Sequence, residues 1–218
     1  MQAHESPAGL QLERAPAVDA AELRMPSKAQ LKRRRQEILA DIAARLNAGQ
    51  DPDVEVMPAL YRALVAERIV DATLGFIVVT MGESMKLGFM EGFEPEMIQR
   101  CLTLDFGQAV CGTVAVTREP MHVTDIQRSL DPLADLVRSA GINAYACEPL
   151  IVGDRLLGTL SFASRSRRRF DTEDLLFFRE VAKLVAEARD RALKSNPART
   201  ERRVPTRRRA TASHLVEV

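Results

Sequence analysis

Apolar residues recur at three- and four-residue spacing near both ends of the chain, and in short dense or alternating runs between. The first helical pattern opens at Ser27, whose hydroxyl suits a cap, with Gln30 three residues on as a capping box requires. Leu31, Ile38, Leu39, Ile42 and Leu46 mark one face, and Asn47 with Gly49 marks the stop. A polar break with Pro52 follows, and Pro58 suits the first turn of a second helix with Tyr61, Leu64, Val65 and Ile69 as its apolar face. Leu74 to Val79 then reads as a central strand, with Phe76, Ile77 and Val78 in an unbroken apolar run. A turn at Gly82 and Glu83 leads to a partner strand over Met85 to Met90. Gly92 to Pro95 breaks it, and Pro95 to Cys101 reads as a short helical turn.

In the middle of the chain, Phe106-Gly107-Gln108-Ala109-Val110-Cys111-Gly112-Thr113-Val114-Ala115 sets two glycines around small residues ahead of an apolar helical stretch. Gly107 and Gly112 permit positive φ or close backbone approach. Met121-His122-Val123 begins a short strand. Leu130, Leu133, Leu136 and Val137 suggest a helix-bearing excursion, with Asp131 as cap and Pro132 at the first helical position. Residues 145–152 and 156–162 form a hairpin around Gly153-Asp154, and Gly158 marks a crowded point. Phe170 to Asp174 opens the last helix, where Leu175, Phe178, Val181, Ala182, Val185 and Ala188 repeat until Asn196-Pro197. This divides the chain into a flexible segment over 1–26, a helix over 27–48, a domain over 54–194 and a flexible basic tail over 195–218.

This order of elements, with its particular residues, resembles a GAF domain, the small-molecule sensor module of signalling proteins. The residues that carry the resemblance are Gly107 to Ala115, Val123-Thr124-Asp125-Ile126, Glu148-Pro149-Leu150, Gly153, Gly158-Thr159-Leu160-Ser161-Phe162, and Phe170 ahead of the final helix. They cover about Met57 to Leu193. The resemblance implies an α+β fold: a central antiparallel sheet of five or six strands, terminal helices on one face and a loop- and helix-covered pocket on the other. It also implies bacterial signal transduction, and a homodimer made through the terminal helices. Within these 218 residues no kinase, phosphoacceptor, DNA-binding or cyclase segment follows, so output is expected through a signalling partner such as a histidine kinase, or through the helices and tail.

The charge count changes this picture only at its edges. Thirty-one Lys and Arg against thirty Asp and Glu leave +1, which suggests neither a nucleic-acid nor a membrane partner. The distribution is uneven: residues 189–218 hold nine basic and three acidic groups, a net +6, leaving −5 for the rest. Arg199, Arg202, Arg203, Arg207, Arg208 and Arg209 would permit nucleic-acid or lipid contact through charge, but no aromatic residues are interleaved for base stacking. Lys32 to Arg35 and the arginines at 165 and 167–169 read as solvated faces. An apolar fraction of 46% argues against disorder, and no apolar run approaches the length of a bilayer span. With three cysteines, which cannot all pair within the chain, and no leader-like start, the reading is a soluble cytoplasmic protein.

Candidate chemistry rests on those cysteines and a few polar groups. Cys101 and Cys111, ten apart around Asp105 and Gly107, resemble the first two cysteines of the free methionine-R-sulfoxide reductases, a GAF enzyme class that works through a nucleophilic thiolate and disulfides. That family's catalytic cysteine falls near Ala134 and Asp135 here. Its acidic substrate contacts fall at Tyr145, Ser161 and Ala163, and Cys147 stands elsewhere. Two other roles remain for Cys101, Cys111 and Cys147, core packing and redox sensing. The ligand-binding candidates are Cys111, Gly112, Thr113, Arg118, Asp125, Arg138, Asn143, Tyr145 and Cys147. The helix opening at Cys111 to Thr113 offers backbone N–H groups, and the others offer the few polar groups of an apolar pocket. His122 is the only histidine inside the domain, and no His/Cys cluster has zinc spacing, so no metal is assigned and the cofactor, if any, is unknown. The leading expectation is a non-enzymatic small-molecule or redox sensor. Its alternatives are the reductase and a ligand-free dimerisation or adaptor domain.

Overall fold

The structure is a computed structural model that describes residues 27–78 and 83–195. The expectations for residues 1–26, for Val79 at the end of the first strand, for Gly82 in the first hairpin turn and for the basic tail from Asn196 onward lie outside the described residues. Helix α1 (Lys28–Asn47) begins with the anticipated reciprocal cap, Ser27 Oγ accepting from Gln30 N and Gln30 Oε1 from Ser27 N. A single π-type turn (Pro52–Val56), capped by the Asp51 carboxylate, leads into α2 (Met57–Ala66). That turn occupies the expected polar break. The buried face of α2 is accordingly Met57, Leu60 and Leu64, while Val65 is exposed and Tyr61 half-buried. Ile69 is buried beyond the helix end.

Strands β1 (Ala72–Val78) and β2 (Ser84–Glu91) form the first hairpin, followed by α3 (Pro95–Arg100), β3 (Thr103–Asp105) and α4 (Ala109–Thr117). Next come β4 (Met121–Val123), two 3₁₀ turns, α5 (Asp135–Ser139), the hairpin β5 (Ala144–Val152) and β6 (Arg155–Ser164), and α6 (Thr172–Ser195). All neighbouring strands are antiparallel, in the order β3-β2-β1-β6-β5-β4. The short edge strand β3 has no period of its own. It exists because Ser84, Met85 and Lys86 offer it a ladder.

The sheet separates two apolar layers. On one face α1, α2 and α6 pack over Ala146, Leu150, Leu160 and Phe162. There Phe162 stacks on Phe178 at 4.0 Å, with Phe170 edge-on to the same ring. On the other face α3, α4 and α5 cover Leu74, Phe76, Tyr145, Cys147 and Ala163. This is the division between helical face and pocket face that the sequence implies.

Two basic clusters depart from the solvated reading. Arg35, 7% exposed, bonds Asp174 and, at 2.9 Å, Glu173, so it clasps α1 to the start of α6. Arg167 adds a second bond to Asp174 at 2.6 Å, and Arg168 pairs with Asp125. Asp174 is fully buried, and these partners offset the desolvation cost of placing a carboxylate there. Lone arginines near a helix start read as surface groups because their partners sit some 140 residues away.

Candidate functional site

The covering helix α4 is placed by its entry. Gly107 has φ +82° and Ala109 φ +52°, so the chain turns sharply between β3 and the helix. A Cβ on Gly112 would stand 2.3 Å from the Asp105 carbonyl oxygen. Only glycine lets α4 lie this close to the loop that precedes it. Cys111 therefore sits in the first turn of α4, buried, on the side toward the sheet, where partial positive charge at a helix N-terminus favours a thiolate.

Opposite it, strand alternation brings Tyr145 and Cys147 of β5 to the same face as Thr159, Ser161 and Ala163 of β6. The cross-strand pairs are Tyr145 with Ala163, Cys147 with Ser161 and Pro149 with Thr159. Cys111 Sγ lies 3.1 Å from Tyr145 Oη and 3.4 Å from Ser161 Oγ. The Cys147 thiol beside it is the main cause holding the Cys111 pKa down to about 7 against its own burial, helped by the Ser161, Tyr145 and Thr159 hydroxyls. Burial, and then the Cys111 sulfur itself, push Cys147 well above the usual thiol range. Tyr145 is likewise raised by burial and by the sulfurs. The set thus favours one negative charge, on Cys111, and resists a second. Thr159 Oγ1 is buried and has no hydrogen-bond partner at bonding distance, although its dipole reaches both sulfurs.

Above this cluster is a narrow apolar cavity of about 20 Å³, room for a molecule the size of water. Phe76, Met97, Cys101, Cys111 and Tyr145 line it, and the half-buried Phe93, Ala109 and Leu136 stand nearer solvent. Cys101 shares the cavity but is a different thiol. Its Sγ contacts Met97 Sδ at 3.8 Å, and burial lifts its pKa to about 11.

Of the nine ligand-binding candidates, Cys111, Tyr145 and Cys147 come together. Gly112 is the packing point of α4, and Thr113 turns its hydroxyl onto the Ala109 carbonyl. Arg118 is exposed and donates to the Asp154 carbonyl, Asp125 pairs with Arg168, and Arg138 bonds Asp135 and the Ser129 carbonyl. Asn143 is half-buried, with its backbone tied to Ser164 and Ile126. None of these six lines the cavity, and of the three that come together Cys111 and Tyr145 line it while Cys147 does not. Ala134, in the excursion, is buried, and Asp135 is the first residue of α5. Outside the cavity, His122 Nε2 meets Glu148 Oε1 at 3.3 Å on the helical face. Sequence reasoning did not single out Thr159, nor Ser161 as a partner of the cysteines. Their signal is the pairing of Ser161 with Cys147, which appears only once the hairpin register is known. Among the described residues, no group of three or more His, Cys, Asp or Glu side chains could hold a metal ion, and no helix is long and apolar enough to cross a membrane.

Known structures share this architecture at low identity. The GAF domain of a phosphoenolpyruvate-protein phosphotransferase from Coxiella burnetii is similar at 21% identity and a TM-score of 0.64, covering 79% of this chain and 99% of that one. Free methionine-R-sulfoxide reductase from Neisseria meningitidis, in complex with its substrate, is similar at 21% identity and a TM-score of 0.64, covering 79% and 96%. A putative GAF sensor protein from Burkholderia vietnamiensis follows at 19% identity and a TM-score of 0.59, covering 75% and 96%. At these identities the likeness concerns the fold. No curated protein matches the sequence. The GAF domain family matches residues 59–188, from α2 through most of α6, and with the six-stranded sheet and its two-sided cover this establishes that the chain belongs to that family.

Proposed function

We propose that this chain is a non-enzymatic regulatory GAF module that senses a small molecule or a redox change on the pocket side of its sheet and acts as a dimer. The observation that carries the reading is the buried cluster of Cys111, Cys147, Tyr145 and Ser161, two of whose members, Cys111 and Tyr145, line an otherwise apolar cavity. A core needing only volume would be filled more cheaply by apolar side chains, since buried hydroxyls and thiols carry a desolvation cost. Two different elements, α4 and the β5–β6 hairpin, contribute to the cluster, so a change in it bears on how the covering helix sits. For the dimer, the support is the half-buried apolar residues of α1 and α6, among them Ile38, Leu39 and Leu184, beside the exposed Leu176.

Reductase activity is the second reading, supported by the likeness to the Neisseria enzyme and by Cys101 and Cys111 sharing one cavity. The size of the cavity weighs against it, and equally against a metabolite-sized ligand for the sensor, because ligand pockets for small metabolites are many times larger. Native mass spectrometry of the full chain from its own source, with and without reductant, tests the reading. A dimer with an added ligand mass, or one whose state changes with reductant, is expected. A bare monomer unaltered by reductant would overturn it, and turnover of methionine-R-sulfoxide with a thiol donor would favour the reductase.

A further inference from the structure

We infer that Cys111 is a hydroperoxide-reactive thiol and that Cys147 is the thiol that resolves it, forming a Cys111–Cys147 disulfide inside the domain. This deepens the redox branch of the sensing role just proposed and rests on it for its biological meaning.

Four observations meet at the pair. Cys111 lines a cavity that admits a molecule of about the size of water, and hydrogen peroxide is little larger. The attacking sulfur sits in the first turn of α4 with two hydroxyls, Tyr145 Oη at 3.1 Å and Ser161 Oγ at 3.4 Å, in place to hold a thiolate. The second sulfur, Cys147 of β5, stands across the ladder from Ser161, whose hydroxyl lies 3.4 Å from Cys111 Sγ; its raised pKa leaves Cys111 the first thiol to react. Thr159 Oγ1 is wholly buried and has no partner at bonding distance among the described residues, although its dipole acts on both sulfurs. An oxygen carried on Cys111 would give it a partner. Cys101 lines the same cavity but differs in the rest: its sulfur contact is the Met97 thioether, and its pKa lies near 11.

The chemistry closes in two steps. The Cys111 thiolate attacks one peroxide oxygen; the S–O bond forms, the O–O bond breaks, and the hydroxide released takes up the proton that Cys111 had lost and leaves as water. Sulfur is oxidised by two electrons and the peroxide is reduced. Cys147 then attacks the sulfenic sulfur; the S–S bond forms, the S–O bond breaks, and the departing hydroxide takes the Cys147 proton as a second water. A small dithiol reverses the whole.

The test exposes the full-length protein to hydrogen peroxide and maps the products by peptide mass spectrometry, with dimedone to trap sulfenic acid. The wild type is expected to lose two hydrogens in a peptide linking Cys111 to Cys147, restored by dithiothreitol. Cys147→Ser is expected to raise the dimedone adduct at Cys111 by about tenfold or more over wild type, and Cys111→Ser to abolish both products without moving them to Cys101. A wild-type protein oxidised no faster than free cysteine, or oxidised first at Cys101, overturns the inference even if either variant fails to fold. The sensing role fails separately. If the disulfide forms but neither the oligomeric state nor the hydrogen exchange of α4 changes, the thiol chemistry stands and the redox output does not. If no disulfide forms but a ligand mass accompanies the protein, the reverse holds.

Discussion

Replacing Gly158 with alanine tests the central sheet where it is least tolerant. Gly158 pairs with Ile77 across β1 and β6, and its φ of +151° already disfavours a side chain. An added Cβ would fall 1.9 Å from the Phe76 carbonyl oxygen and 2.9 Å from its carbon, contacts that a rotamer change cannot relieve because both atoms are backbone. The same oxygen accepts from Arg189 Nη1 at 3.0 Å, and Arg189 also pairs with Asp53 of the π-type turn, so a shift of β1 disturbs α6 as well. Overpacking costs about 1–3 kcal/mol, the unfavourable backbone about 1–2 kcal/mol, and weakening a charged hydrogen bond adds to both. A loss of about 3–5 kcal/mol is therefore expected, a large part of an ordinary domain's stability. Urea unfolding followed by circular dichroism measures it. Gly49→Ala is the control: its φ is +82° but nothing lies within 4 Å of the added carbon, so only the backbone contribution of about 1–2 kcal/mol applies. Equal losses at the two positions would refute the close-approach account of Gly158.

Three further outcomes follow from the same geometry. Alkylation of Cys111 by iodoacetamide should rise with a midpoint near pH 7 while Cys101 responds near pH 11, as read by mass spectrometry of the two peptides; identical profiles would remove the distinction between the thiols. Asp71 combines burial, which opposes its charge, with bonds from Ser164 Oγ and the backbone N–H groups of Arg165 and Ser166 that outweigh it, so its pKa is lowered. Its contribution is present above pH 3.8 and lost as the pH falls through the depressed value, so Asp71→Asn should flatten the acid limb of a stability-against-pH curve. A double-mutant cycle on Arg35→Met and Asp174→Asn should give a coupling of about 1–3 kcal/mol in urea unfolding, limited because Arg167 also bonds Asp174; a coupling near zero would mean that the clasp of α1 to α6 is apolar.

What the sequence determined by itself was local and periodic. Ser27 and Gln30 announce the start of α1, Asp131 and Pro132 the excursion turn, Gly153-Asp154 the tight hairpin, and the apolar period of α6 its buried face, because each depends on residues a few positions apart. The paired glycines at 107 and 112 identify the α4 entry, the first by its positive φ and the second because a Cβ there would meet the Asp105 carbonyl. The tertiary structure decided whatever depends on register and distance. It alone could show that Cys147 pairs with Ser161 and so meets Cys111 on α4, that Thr159 is left without a partner, and that Cys101, nearer to Cys111 in sequence, belongs to an apolar neighbourhood. It placed Arg118, Asp125 and Arg138 in contacts away from the cavity, and turned Arg35 from an apparent surface charge into a buried clasp. A one-residue slip of β5 against β6 would send Tyr145 and Cys147 to the opposite face of the sheet from Ser161; the site is a property of the pairing, and pairing is set by long-range packing.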